Sequence, residues 1–127
     1  MNRAKILIVE DEREVAKSLE LRLKKLGFSV VGREDTGETA IKKADELRPD
    51  IVLMDIELGG KMDGVQAADY IRKNYRIPVI YLTALCDTKT LGRVGTTAPY
   101  GYILKPFKDD ELRTVIEIAL EIKANKK

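Results

Sequence analysis

A chain of 127 residues has the size of one domain and can bury a real core; with 35% charged and 44% apolar residues and a net charge of only +2, its composition excludes disordered and fibrous classes. Acids and bases are interleaved, and basic pairs such as Lys24-Lys25 and Lys126-Lys127 fall at expected helix ends, so nothing in the charge pattern points to nucleic-acid binding. The single cysteine, Cys86, excludes an internal disulfide and fits a reducing cytoplasm, and the absence of histidine excludes any chemistry that uses the chain's own imidazole as base, metal ligand or group carrier.

In chain order, Lys5–Val9 reads as a β-strand that ends on the acids Glu10-Asp11-Glu12. Its apolar run is far too short for a signal segment or membrane span, so a cytoplasmic protein without membrane contact is expected. A helix follows, with Val15, Leu19, Leu23 and Leu26 at helical spacing, Asp11 as the expected cap and Gly27 as the stop. Residues 28–31 predict a short strand. Thr36 caps a helix whose apolar side is Ala40, Ile41, Ala44 and Leu47, and Pro49 lies beyond its end. Ile51-Val52-Leu53-Met54-Asp55 is an uninterrupted apolar run that stops on an acid, the pattern of a strand covered on both faces. Val65, Ala68 and Ile71 define a helix over 64–74, and Pro78 opens a strand over 79–82 that leads into Thr83-Ala84.

Residues 87–95 form the weakest helix of the chain, since Thr88, Thr90, Gly92 and Gly95 are poor helix formers; the topology alone predicts it. A fifth strand over 102–104 stops at Lys105-Pro106. The last helix, 109–124, carries Leu112, Val115, Ile116, Ala119 and Leu120 together with Ile118 and Ile122, an apolar arc of about 200° and wider than one core face needs.

Five alternations of strand and helix predict one α/β domain over 1–127, a five-stranded parallel sheet with helices on both faces and the flavodoxin-like, doubly wound (βα)5 order 2-1-3-4-5. Strands one and three are then neighbours at the switch point, and their carboxyl ends bring Glu10, Asp11 and Asp55 together. Three such carboxylates need a cation to screen them, and all-oxygen ligands suit a hard divalent ion such as Mg²⁺. Strands four and five place Thr83 and Lys105 at the same edge. A nucleophilic carboxylate, a metal, an ammonium and a hydroxyl form the set that phosphoryl transfer uses to hold charge on three equatorial oxygens.

Glu10-Asp11, Asp55, Thr83-Ala84 and Lys105-Pro106-Phe107, each directly after its strand, resemble the receiver domain of two-component response regulators, and the likeness runs from Lys5 to Leu120. The resemblance implies that Asp55 is the phosphoacceptor, supplied by the phosphohistidine of a partner sensor histidine kinase. It implies that Asp11 binds Mg²⁺ directly, Glu10 chiefly through water, and Glu57 through its main-chain carbonyl. Lys105 would contact the phosphoryl group and Asp55, Thr83 would swing in to bond a phosphoryl oxygen, and Tyr102 would be the aromatic that turns inward behind it. The Lys105-Pro106 peptide is expected to be cis. Such a domain is a signalling phosphoacceptor that catalyses its own phosphorylation and dephosphorylation, not an enzyme in the ordinary sense.

The loop after Asp55 departs from the family pattern: 56–62 reads Ile-Glu-Leu-Gly-Gly-Lys-Met, one residue longer than usual and without proline, so a more mobile loop is expected. Asp63-Gly64 lacks the alternating acids of a calcium loop. With nothing after Lys127, the output is expected through a downstream effector protein, or a dimer of the chain, at the face of helix 87–95, the fifth strand and the last helix. The chain would be a stand-alone regulator or a receiver cut from a larger hybrid kinase or regulator. A rival of another class is an acid-metal phosphohydrolase of the haloacid dehalogenase type, whose nucleophile follows the first strand and not the third. A receiver that has lost phosphorylation is disfavoured by the intact acid, Thr and Lys set, and Cys86, without a catalytic partner, is expected to be structural.

Overall fold

The apolar runs 6–9, 51–55 and 79–83 form strands buried on both faces. In the computed structural model, which describes residues 3–83 and 101–125, β1 (Lys5–Val9), β3 (Ile51–Asp55) and β4 (Val79–Thr83) lie at the centre of a five-stranded sheet. β2 (Ser29–Glu34) and β5 (Gly101–Leu104) form its edges, in the order β2-β1-β3-β4-β5, and every pairing is parallel. The expected order is thus the observed one.

The alternation of side chains sorts the core into two layers. Leu7, Val9, Val52, Met54, Val79 and Tyr81 face α2 (Gly37–Leu47) and α3 (Gly64–Tyr75). Ile6, Ile8, Ile51, Leu53, Ile80, Leu82 and Ile103 face α1 (Arg13–Lys25) and α4 (Asp109–Asn125). Burial of a Leu or Ile contributes about 1.5–3 kcal/mol each, so these layers, more than any surface ion pair, fix the sheet.

Helix ends follow local chemistry, with one correction. The Thr36 hydroxyl accepts from Thr39 N–H, and Asp63 and Gln66 form a capping box at α3. Gly27 takes φ +97 just past α1, the left-handed stop expected of it. Asp11, however, is not the cap of α1: Glu12 holds that position without a side-chain hydrogen bond, which leaves the Asp11 carboxylate for another partner. β2 also runs past residue 31 to Glu34. The register slips between Ile6 and Leu7 of β1, so that Val30 and Gly32 pair with consecutive residues, and the ladder continues through polar residues because its backbone groups are paired by β1.

The loop after β3 is anchored more firmly than its glycines predict. Ile56 and Leu58 are buried in the α2–α3 layer, Gly64 N–H donates to Ile56 O at 3.3 Å, and only Glu57 and residues 59–61 face solvent. The expected helix 87–95, with Ala84 and Cys86, lies outside the described residues. Among the described residues no helix is long and apolar enough to cross a membrane.

Candidate functional site

A parallel sheet delivers all its carboxyl ends to one edge, and the register decides what meets there. Val9 pairs with Met54, Asp55 with Leu82 and Thr83 with Leu104. Glu10, Asp55, Thr83 and Lys105 therefore emerge within a step of one another across four adjacent strands. Backbone bonds hold that edge: Glu10 N–H to Glu34 O, Ile56 N–H to Leu82 O and Lys105 N–H to Thr83 O, at 2.9, 3.2 and 2.9 Å.

Glu10, Asp55 and Thr83 are buried, while Asp11 is exposed at the rim. One carboxylate oxygen from each of Glu10, Asp11 and Asp55 lies within 4.8 Å of the others. The Lys105 ammonium faces this cluster, 2.7 Å from Glu10 Oε1 and 3.5 Å from Asp55 Oδ2. Burial on its own would lower the Lys105 pKa, but the hydrogen bond to Glu10 and the charges of Asp55 and Glu10 outweigh it and hold the pKa above the ordinary lysine value. Backbone donors complete the arrangement. Glu12 N–H reaches Glu10 Oε2 at 3.1 Å, Glu57 N–H reaches Asp55 Oδ1 at 3.0 Å and Gly59 N–H reaches Asp11 Oδ2 at 3.2 Å.

The donor set fits a hard divalent cation: it consists of oxygen ligands only, and three carboxylates face one ammonium, which leaves negative charge for a second cation to balance. Glu10, Asp11, Asp55, Thr83 and Lys105 are all brought to this edge. The Glu57 N–H donates to Asp55, which sets residue 57 next to the cluster. Tyr102 lies on β5, half exposed, and lines an open groove of about 570 Å³ together with Thr83, Leu104, Asp110, Thr114 and Val115. The Lys105-Pro106 peptide is cis, as expected.

Two positions contribute that sequence reasoning missed. A Cβ on Gly64 would collide with the backbone carbonyl of Asp55, so only glycine lets α3 start this close to the acidic strand end. Gly59 supplies the amide that holds Asp11. The Gly59-Gly60 pair beside the acidic strand was the available signal for the second.

Fold and site define a doubly wound α/β domain with a carboxylate, ammonium and hydroxyl cluster at its switch point. A sequence model of the response regulator receiver domain matches residues 6–117, and the chain belongs to that family, the receivers of two-component response regulators. The signal receiver domain of a modulated diguanylate cyclase from Desulfovibrio desulfuricans G20 is 39% identical, superposes with a TM-score of 0.95 and is covered over 100% of its length by 99% of this chain. The N-terminal domain of a response regulator/sensory box/GGDEF 3-domain protein from Carboxydothermus hydrogenoformans is 40% identical at a TM-score of 0.87, with 97% of this chain and 99% of that one covered. Regulatory protein AtoC of Escherichia coli is 35% identical over 97% of this chain but only 26% of its own length. The chain spans between about a quarter and just over half the length of such curated relatives. Membership favours the receiver over the phosphohydrolase reading; receiver domains are signalling phosphoacceptors, typically not classical enzymes.

Proposed function

We propose that Asp55 accepts a phosphoryl group from the phosphohistidine of a partner sensor histidine kinase, and that the chain catalyses both this transfer and the later loss of the group. The observation that carries this reading is the convergence of the Glu10, Asp11 and Asp55 oxygens within 4.8 Å, with the Lys105 ammonium 3.5 Å from Asp55. A carboxylate oxygen of Asp55 attacks phosphorus, the O–P bond forms as the P–N bond to the donor imidazole breaks, and the ring, already protonated on its other nitrogen, leaves as neutral imidazole with the P–N electron pair. Asp11, Asp55 and the main-chain carbonyl of Glu57, with Glu10 chiefly through water, would hold Mg²⁺, which would supply positive charge to the phosphoryl oxygens. Lys105 adds a fixed positive charge beside Asp55, and the Thr83 hydroxyl bonds a phosphoryl oxygen once the group is in place. The strand ends hold the acceptor in place before the donor arrives, so little reorganisation is needed at transfer.

The added charge then biases a two-state surface. Thr83 and Tyr102 are the switch residues, and the output face is the segment 87–95, β5 and α4, to which an effector protein or a second copy of the chain binds. Apolar groups exposed there, Tyr102 and Leu104 on β5 and Ile118 and Ile122 on α4, support this assignment. The whole of 1–127 acts as one receiver unit in the cytoplasm, without nucleic-acid or membrane contact of its own. Its similarity to receiver domains of larger proteins supports a second form of the same reading, in which it works as the receiver of a longer regulator or hybrid kinase.

Incubation with acetyl phosphate and Mg²⁺, followed by intact mass measurement, tests the proposal. One phosphoryl group should add to the wild type and none after chelation of the metal; uptake at full stoichiometry by Asp55→Asn would show that the acceptor is another group.

A further inference from the structure

We infer that the backbone N–H of Gly59 is a positioning group for the Asp11 carboxylate, so that a residue of the loop after β3 that is not itself a ligand sets the affinity of the metal site. The inference rests on the reading of Asp11 as a metal ligand. Asp11 is exposed and, since Glu12 is the cap of α1, is not tied down by that helix. Its carboxylate instead accepts from Gly59, 48 residues away in sequence, through Oδ2 at 3.2 Å. One oxygen is thereby fixed while Oδ1 and the remaining lone pairs stay available, the usual relation between a ligating carboxylate and its outer partner.

The donor is held from a firm base. Leu58 is buried immediately before it, and Ile56 and Gly64 close the loop by a backbone bond at 3.3 Å. Gly60 follows with φ +97, a turn that L side chains rarely adopt, and this lets the loop fold back while Gly59 faces Asp11. The backbone amide is the donor, so the contribution of residue 59 lies in having an N–H and not in lacking a side chain. A Cβ there would sit 3.7 Å from Asp11 Oδ2, an ordinary contact.

Mg²⁺ titration calorimetry on wild type, Gly59→Ala, Gly59→Pro and Asp11→Ala separates these points. Gly59→Ala keeps the N–H and should bind close to wild type, whereas Gly59→Pro removes it and should bind about 10- to 100-fold more weakly. Equal affinity of Gly59→Pro and wild type overturns the inference, and so does an equal loss in the alanine and proline variants, which would make loop shape and not the amide responsible. A wild-type measurement guards against a proline that disturbs folding: Mg²⁺ should shift the Gly59 amide resonance and slow its exchange, and this response should vanish in Asp11→Ala. A Gly59 amide indifferent to Mg²⁺ overturns the inference whatever the variants do. Undiminished Mg²⁺ binding by Asp11→Ala would overturn the metal site itself, whereas a severe loss there beside a normal Gly59→Pro removes only the role of Gly59.

Discussion

Lys105→Met keeps the apolar stem of Lys105 and removes its ammonium, which isolates the charge balance of the site. The side chains of Glu10 and Asp55 are 0% and 6% exposed, and that of Lys105 20%, so the group lost is the counter-ion of two buried carboxylates. Removing one partner of a buried pair costs about 3–5 kcal/mol; partial exposure of the lysine brings the expected loss to about 2–3 kcal/mol. For a domain of this size that lowers the melting temperature by roughly 10 °C in chelator. Saturating Mg²⁺ at about a hundred times its Kd adds about 2.7 kcal/mol to any protein that binds it only when folded. In the variant the cation also replaces the missing charge, so Mg²⁺ should raise its melting temperature by more than it raises that of the wild type.

The pH dependence has a definite sign. The Lys105 pKa is raised on folding, so the stabilisation from its pairing is complete below the ordinary lysine value and lost only as pH rises through the higher folded value. The difference between wild type and Lys105→Met should therefore be flat from neutral pH to about pH 10 and shrink as pH rises beyond that. Calorimetric melts across pH, with and without Mg²⁺, provide the assay. Equal stability of the two proteins in chelator, or equal rescue by Mg²⁺, would refute the view that ammonium and metal share the neutralisation of one acidic cluster.

Asp11→Ala should weaken Mg²⁺ binding by more than tenfold in calorimetric titration, at little cost to folding since the residue is exposed. Thr83→Ala should still take up a phosphoryl group from acetyl phosphate, but amide shifts at Tyr102 on phosphorylation should be smaller than in wild type; a wild-type pattern would break the proposed coupling. Gly64→Ala should destabilise by more than about 2 kcal/mol in urea unfolding, because its Cβ meets the Asp55 carbonyl and the strand end or α3 must shift.

Much of the site was legible because it sits on period-two strands with unmixed apolar content. Ile51–Asp55 and Val79–Thr83 are wholly buried, so their sequences declare both the strand and the point where it stops, and a parallel sheet takes each stopping residue to the same edge. β2 was half legible, since Gly32-Arg33-Glu34 has no apolar signal and is held in the sheet by the β1 ladder. Pairings within the site were less accessible. Sequence placed Lys105 opposite the acids, but its closer approach to Glu10 than to Asp55 depends on side-chain reach across the register. The same holds for Asp11, which spacing made a helix cap and packing made the partner of Gly59. The loop 56–62 read as slack because of its two glycines, whereas Ile56 and Leu58, alternating with exposed Glu57, anchor it in the core.

The central claim is that Asp55, and no other acid of the cluster, forms the acyl phosphate. Borohydride reduction of the chain after phosphorylation, followed by peptide sequencing, converts an aspartyl phosphate to homoserine and so marks its position. Homoserine is expected at position 55 alone, dependent on Mg²⁺; homoserine at position 11 or another acid, or none in a chain that has taken up phosphate, would contradict this assignment.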